Sequence, residues 1–149
     1  MESRDQFIQL DEVLLFFPAL LKNFIDLIFK SLDDNTPRTY IAILLVLQKD
    51  GRQPISTIAE RLSVAKPNMT PIVKDLIKKG WIKKGVHQWD RRIVNVELTE
   101  TGEEYLNKTV DKLNLIIRQK LSILSEEESQ ELFRSINSLI ILGTKIIGE

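Results

Sequence analysis

The chain has 149 residues, 21 basic and 21 acidic side chains, and no cysteine. This length suits one domain with one core, and the lack of cysteine excludes a disulfide framework, a thiolate metal site and a thiol redox switch. Charged residues and a proline interrupt the apolar N-terminal stretch. We therefore expect neither a signal peptide nor a membrane-spanning helix, and instead a soluble cytoplasmic protein.

The N-terminal segment is predicted to be helical. Apolar residues recur every three or four positions from Phe7 to Leu32. Pro18 is expected to kink this helix or to begin a second one. Further apolar residues lie between these positions, so more than one face of the helix must be covered.

The C-terminal third is predicted to form two more amphipathic helices, the first from Thr101 to Ile123. Ser125 and Glu128 have the pattern of a capping box, and apolar residues follow at helical spacing. Wide apolar surfaces at both ends of a small chain are buried most simply against a second copy. We therefore expect a homodimer in which residues 5–33 and 101–147 form the dimerisation region.

The middle of the chain has the pattern of a helix-turn-helix. Residues 37–49 hold an apolar run that a buried helix or a buried strand explains equally well, and a turn with a glycine and a proline follows. A short helix is predicted from Ser56 to Leu62, capped by Ser56 or by Thr57 together with Glu60. Three residues later a second helix runs from about Lys66 to Lys79 and ends at a glycine. Two short helices joined by a tight turn are typical of DNA-binding proteins.

Two strands are predicted after these helices. They are Trp81–Lys84 and residues 93–98, and the second alternates between two sets of side chains. Residues 85–92 between them would form a hairpin loop. The expected fold is mainly α with a small β-hairpin, in a single domain of residues 1–149 whose central lobe spans residues 37–99.

Positive charge is concentrated around the second helix of this pattern. Residues 66–92 hold eight cations and two acids, a net charge of +6, so the rest of the neutral chain carries −6. This uneven charge distribution gives the protein a positive electrostatic potential on one side, which suits binding of an anionic partner there. A solvated helix face with several lysines explains the same composition equally well.

Five short segments of this region resemble signatures of the MarR (multiple antibiotic resistance regulator) family, in the family's order and at its spacing. They are residues 55–62 (ISTIAERL), 64–70 (VAKPNMT), 73–82 (VKDLIKKGWI), 90–92 (DRR) and 98–102 (LTETG). The resemblance implies a winged helix-turn-helix protein that regulates transcription, as a repressor and a homodimer on a palindromic operator in double-stranded DNA. It also implies that the helix from about Lys66 reads the major groove and that the loop around residues 90–92 is the wing.

The chemistry of the predicted recognition helix agrees with this role. Its lysines can neutralise phosphates, and its asparagine can pair with an adenine edge, although a plain helix cap is the alternative role for the asparagine. The threonine can donate to a phosphate or contact a thymine methyl group. The expected DNA-binding residues of this helix are Lys66, Pro67, Asn68, Thr70 and Lys74.

The predicted wing holds Asp90, Arg91, Arg92 and Lys84 as DNA-binding residues. Arg92 is expected to enter the minor groove, while Asp90 holds its guanidinium group in place and Arg91 reaches the backbone. A surface salt bridge between Asp90 and Arg92 that only closes the hairpin is the alternative.

The start of the recognition helix has two solutions. The family usually has a small hydroxyl residue where this chain has Ala65, so the expected cap is missing. If the helix begins at Lys66, Pro71 removes a backbone hydrogen bond at a cost of about 3 kcal/mol. With Asn68 as the cap, Pro71 would instead fall in the first turn.

Two other classes of function compete with DNA-binding regulation. The chain has one histidine, His87, and no nucleophile motif, phosphate-binding loop or metal-ligand spacing, so we expect no enzyme, metal or cofactor. A winged-helix module that binds protein instead of DNA is the second alternative. The charge of residues 66–92 favours DNA.

The resemblance further implies a small phenolic or other amphipathic effector, bound in a crevice between the dimer helices and the winged-helix lobe. The residues expected to line it are Phe16, Phe17, Phe24 and Tyr40. Packing in the core explains the same four residues equally well.

Overall fold

A computed structural model describes residues 12–32, 35–85 and 94–148 of the chain. The chain divides into two compact units, Met1–Leu113 and Asn114–Glu149. The described residues are mostly helical, with a small antiparallel sheet, which confirms the predicted fold class. No helix in these three ranges is long and apolar enough to cross a membrane.

In chain order, the described residues form a π-helical turn (Glu12–Phe16) followed by six α-helices and three strands. These are α1 (Phe17–Phe29), α2 (Arg38–Asp50), β1 (Gln53–Pro54), α3 (Ile55–Arg61), α4 (Lys66–Lys78), β2 (Ile82–Gly85), β3 (Asn95–Leu98), α5 (Glu100–Leu121) and α6 (Glu126–Ile147).

The N-terminal helix changes type at Pro18. The π-helical turn gives way to α1 immediately before Pro18, which occupies the first turn of α1 where its missing N–H is not needed. Phe16 keeps helical backbone angles, so the chain stays helical through this change and Pro18 marks the first turn of α1 within it. The residues from 5 to 11 of the predicted helix lie outside the described ranges.

The core of the first unit is centred on α2, which shows that residues 37–49 prefer a helix to a strand. Four of its side chains, Ile41, Ile43, Leu44 and Leu47, are almost fully buried. Burying side chains of this size supplies the main favourable term in folding, about 1.5–3 kcal/mol for each. The other buried core residues come from α3, α4, α5 and the sheet, namely Ile58, Met69, Leu76, Leu106, Ile82 and Val96.

The sheet has one strand more than the predicted hairpin. Its order is β1-β3-β2, with both pairs antiparallel, so β1 occupies residues that the sequence predicted to be a turn. The alternation predicted for β3 is wrong, since the adjacent Asn95 and Val96 are both buried. The physical reason is that β3 is the central strand and both of its faces are covered at this point.

The second unit has no buried residue among residues 114–148. It consists of the end of α5, a short turn and α6. The predicted capping box is confirmed: the Glu128 N–H donates to Ser125 Oγ at 3.1 Å, and the Ser125 N–H donates to Glu128 Oε2 at 2.7 Å. Large apolar side chains of α6 are exposed, up to 85% for Ile146.

Candidate nucleic-acid interface

Helices α3 and α4 form the predicted helix-turn-helix. In the turn between them, Ser63 has a φ of 52°, a left-handed conformation that usually favours glycine. The Val64 N–H then donates to the Ala59 carbonyl at 2.9 Å, which closes the turn. Ile58 of α3 and Met69 of α4 are both buried beneath it.

The predicted caps of α3 are wrong. The helix begins at Ile55, directly after Pro54, and no side chain caps it. Because the helix begins before Ser56 and Thr57, both lie inside its first turn and cannot be its cap. The Ile55 N–H donates to the Val94 carbonyl at 3.0 Å, so the sheet continues into the helix.

The predicted recognition helix is α4, which begins at Lys66, so the alternative start at Asn68 is wrong. The Asn68 N–H donates to the Ala65 carbonyl at 2.9 Å, which places Asn68 inside the helix and not at its cap. Pro71 therefore lies in the helix interior. Since proline has no N–H, the carbonyl of Pro67 lacks its usual partner four residues later.

One side of α4 is buried and the other is exposed. Met69, Val73 and Leu76, spaced four and three residues apart, face the core. All five residues predicted to bind DNA are exposed: Lys66, Pro67, Asn68, Thr70 and Lys74. In the part of the chain that the structure describes, no carboxylate pairs with Lys66, Lys74 or the neighbouring Lys78. Their charges are available to an anionic partner.

The C-terminal end of α4 is fixed to the start of α5. The chain leaves α4 through Gly80, whose φ is +72°, and the Thr99 hydroxyl donates to the Gly80 carbonyl at 2.5 Å. The Thr99 N–H donates to the Trp81 carbonyl at 3.0 Å, and the Gly102 N–H donates back to Thr99 Oγ1 at 3.0 Å. The ring of Trp81 stacks on that of Tyr105. We call Gly80, Trp81, Thr99, Gly102 and Tyr105 the α4–α5 joint.

The joint was not predicted from the sequence, although Thr99 and Gly102 belong to the last segment of the family resemblance. A Cβ atom at Gly102 would overlap the carbonyl oxygen of Trp81, so only glycine allows this close approach. The structure thus explains Gly102 by close packing and Thr99 by its hydrogen bonds.

The base of the wing is held by an ion network. Glu97 of β3 accepts from Arg52 Nε at 2.8 Å and lies 3.2 Å from Lys83 Nζ of β2. The hydrogen bond from Arg52, followed by that from Lys83, lowers the pKa of the Glu97 carboxyl below its usual value of 4.5. A Cβ at Gly85 would lie 2.9 Å from the Arg52 side chain, so the small residue leaves room for this cation. Sequence reasoning missed Arg52.

The wing residues are only partly described. Lys84 is exposed and lies opposite Val96 in the sheet. Asp90, Arg91 and Arg92 lie outside the described residues, so their predicted roles stay predictions.

None of the four residues predicted to line an effector crevice lines the cavity found among the described residues of the first unit, so that role stays a prediction. Phe16 and Phe17 are exposed, whereas Phe24 and Tyr40 are half-buried. Burial, and then a hydrogen bond to the Asp75 carboxylate on α4, raise the pKa of the Tyr40 hydroxyl above 10.0. A cavity of about 290 Å³ in this unit is lined instead by Phe29, Arg38, Thr39, Ala42, Leu62 and Val64. No cluster of metal-ligating side chains occurs among the described residues.

Known proteins resemble both the sequence and the fold. Residues 37–94 match the model of the MarR family. The HTH-type regulator YkoM of Bacillus subtilis is 30% identical over 113 residues, which are 70% of this chain and 73% of YkoM. The chain belongs to the MarR family. Another regulator of Bacillus subtilis, YfiV, is 31% identical over 108 residues, which are 72% of this chain and 66% of YfiV.

This MarR chain aligns with 57% to 66% of the length of the first three curated relatives. Among solved structures, YusO from Bacillus subtilis superposes with a TM-score of 0.66 at 25% identity, covering 93% of this chain and 98% of YusO. The relatives named here are transcriptional regulators and not enzymes, in agreement with the prediction from the sequence.

Proposed function

We propose that this MarR-family chain binds double-stranded DNA in a sequence-specific manner and regulates transcription. The observation that carries the proposal is the exposed face of α4, where Lys66, Lys74 and Lys78 have no ion-pair partner among the described residues. Phosphate contacts of this kind supply the affinity and fix the register of a protein on the duplex.

Within this proposal, α4 lies in the major groove. Lys66 and Lys74 contact phosphates, Asn68 pairs with an adenine, and Pro67 and Thr70 lie near the base edges. Lys84 and the wing residues Asp90, Arg91 and Arg92 serve the adjacent minor groove and backbone.

We further propose that the regulator is a homodimer. The second unit exposes Leu115, Phe133, Ile136 and Leu139, and none of its described residues is buried. A unit of this size with no core requires a partner surface, and a second copy offers a matching one. A two-fold dimer suits a palindromic operator with half-sites one helical turn apart.

Repression is the direction of regulation that we propose, since a dimer on promoter DNA excludes other proteins from it. A small phenolic or amphipathic effector would release the dimer by binding near Phe16, Phe17, Phe24 or Tyr40. The two phenylalanines of the π-helical turn and α1 expose apolar surface, and Tyr40 contacts Asp75 of α4 directly. The regulator would act in the cytoplasm.

Selection of binding sites from random duplex DNA tests the function. The purified chain should enrich an inverted repeat with half-site centres about 10–10.5 bp apart, and log affinity should fall linearly with log salt. A winged-helix module that binds protein would return no preferred sequence. Footprinting on genomic DNA would then identify the regulated promoters.

A further inference from the structure

Pro71 lies at an interior position of α4 that gains nothing from a proline for folding. It is the costliest residue type there, since it removes the hydrogen bond to the Pro67 carbonyl. The helix nevertheless continues without interruption from Lys66 to Lys78, and Pro71 is exposed to solvent. No contact with the core repays the lost bond.

The position of Pro71 on the helix surface indicates its role. Pro67 and Pro71 are four residues apart and therefore lie side by side on one face. At 100° per residue, this face is opposite to the buried side chains Met69 and Val73. Both proline rings are exposed in the first two turns, which are the turns of a recognition helix that reach the base edges.

The chemistry of the two proline rings determines which group on a base they can contact. A pyrrolidine ring offers methylene groups and neither donates nor accepts a hydrogen bond. In the major groove, the apolar feature that distinguishes one base is the 5-methyl group of thymine. Lys74 and Lys78 continue the same face toward the C-terminus of α4, where they can reach phosphates.

We propose that Pro71, together with Pro67, forms an apolar ledge on the recognition helix that reads thymine methyl groups, so that Pro71 determines sequence specificity. This proline ledge rests on the proposed DNA-binding function.

The test removes the methyl groups from the DNA and the ring from the protein. A duplex recovered by selection with the wild-type chain is resynthesised with each thymine in turn replaced by deoxyuridine. The wild-type chain should lose roughly threefold to fivefold in affinity at one or two thymines of each half-site, the value of about one buried methylene group. For Pro71→Ala the loss at one of these positions should fall below twofold. Lys78→Ala, on the same face, should bind more weakly overall but keep the full response to deoxyuridine.

Thermal unfolding distinguishes a role of Pro71 in DNA recognition from a role in the stability of the fold. Pro71→Ala restores the N–H, so its midpoint should rise while its response to thymine methyl groups falls. A wild-type chain that selects a sequence but responds to no deoxyuridine overturns the ledge without any variant, as does Pro71→Ala with an unchanged response. A wild-type chain that selects no sequence contradicts the proposed function itself, and the ledge with it.

Discussion

The indole ring of Trp81 lies flat against the phenol ring of Tyr105, with 3.8 Å between the ring centroids and 14° between the planes. Trp81 lies shortly after α4, separated from its last residue Lys78 by Lys79 and Gly80, and Tyr105 lies in the second turn of α5. The Tyr105 hydroxyl donates to Thr36 Oγ1 at 2.9 Å, just before α2. Tyr105 therefore connects the segment that follows α4 to α5 and to the residues before α2.

Removing only the hydroxyl of Tyr105 should separate the ring stack from the hydrogen bond to Thr36. Tyr105→Phe keeps the stack and loses the bond to Thr36, which should lower the free energy of unfolding by about 0.5–1.5 kcal/mol in urea denaturation. Tyr105→Ala should cost more, because the stack is lost as well. In a Trp89→Phe background, where Trp81 is the one tryptophan left, the emission should change for Tyr105→Ala and hardly at all for Tyr105→Phe. Equal spectra for the two variants would contradict the stack.

A methyl group at position 102 should strain the same joint. Gly102→Ala places a Cβ against the Trp81 carbonyl oxygen, so α5 or the β2 entry must shift, at a cost of about 1–3 kcal/mol. Because the shift displaces the end of α4, operator affinity should also fall for the folded protein at low temperature. Thr101→Ala, an exposed neighbour on the same helix, should stay within about 0.5 kcal/mol of wild type. If Gly102→Ala were as stable as wild type, the backbone of residue 102 would not lie as close to the Trp81 carbonyl as the structure shows, and the prediction would be wrong.

Features formed by residues close together in the sequence could be predicted, whereas contacts between distant residues could not. The helix-turn-helix, the stop of α4 at Gly80 and the capping box at Ser125 are local patterns, and all three are present. The bond between Tyr105 and Thr36 joins residues 69 apart, and that between Arg52 and Glu97 joins residues 45 apart. No local pattern marks such pairs.

The errors have a similar cause. The cap predicted for α3 at Ser56 is absent because the helix begins one residue earlier, at Ile55, where the chain leaves the strand β1 and the Ile55 N–H donates to the distant Val94 carbonyl. The two-residue strand β1 exists because β3 pairs with it. The nearby glycine and proline predicted only a turn, since the pairing partner is far away in the sequence.

Acid should weaken the base of the wing. The pKa of Glu97 is lowered in the folded chain by Arg52 and Lys83, so the stabilisation is fully present above the usual value of 4.5 and is lost as the pH falls through the lower folded value. The stability difference between wild type and Glu97→Gln should therefore be constant near neutral pH and shrink on acidification below about 4.5. Chemical denaturation across this range measures it. Glu104→Gln, an exposed carboxylate of α5, is the control; a difference for Glu97→Gln that grows in acid would refute the network.

A charge on the apolar face of α6 should break the dimer. Ile140 is 60% exposed in the single chain, and Ile140→Glu would bury a carboxylate in the proposed interface. Sedimentation at low micromolar concentration should give a dimer for wild type and a partly unfolded monomer for the variant. Ser138→Glu, about 200° around the same helix, should remain dimeric. A well-folded wild-type monomer would contradict the homodimer.

The wing residue Arg92, which lies outside the described residues, should act on specificity more than on stability. If Arg92 enters the minor groove, Arg92→Ala should weaken operator binding by roughly 1–3 kcal/mol and relax discrimination at the A·T positions below the wing. The melting temperature should hardly change.

Lys78 provides the comparison, since it lies at the C-terminal end of α4 and is exposed. Lys78→Ala should weaken binding slightly and evenly across sequences, because a phosphate contact or a partner of the helix dipole carries no base information. Arg92→Lys keeps the charge but loses the planar guanidinium group, so it should fall between wild type and Arg92→Ala at A·T positions. Should Arg92→Ala bind with unchanged affinity and salt dependence while its melting temperature falls, then Arg92 pairs with Asp90 to close the hairpin and does not read DNA.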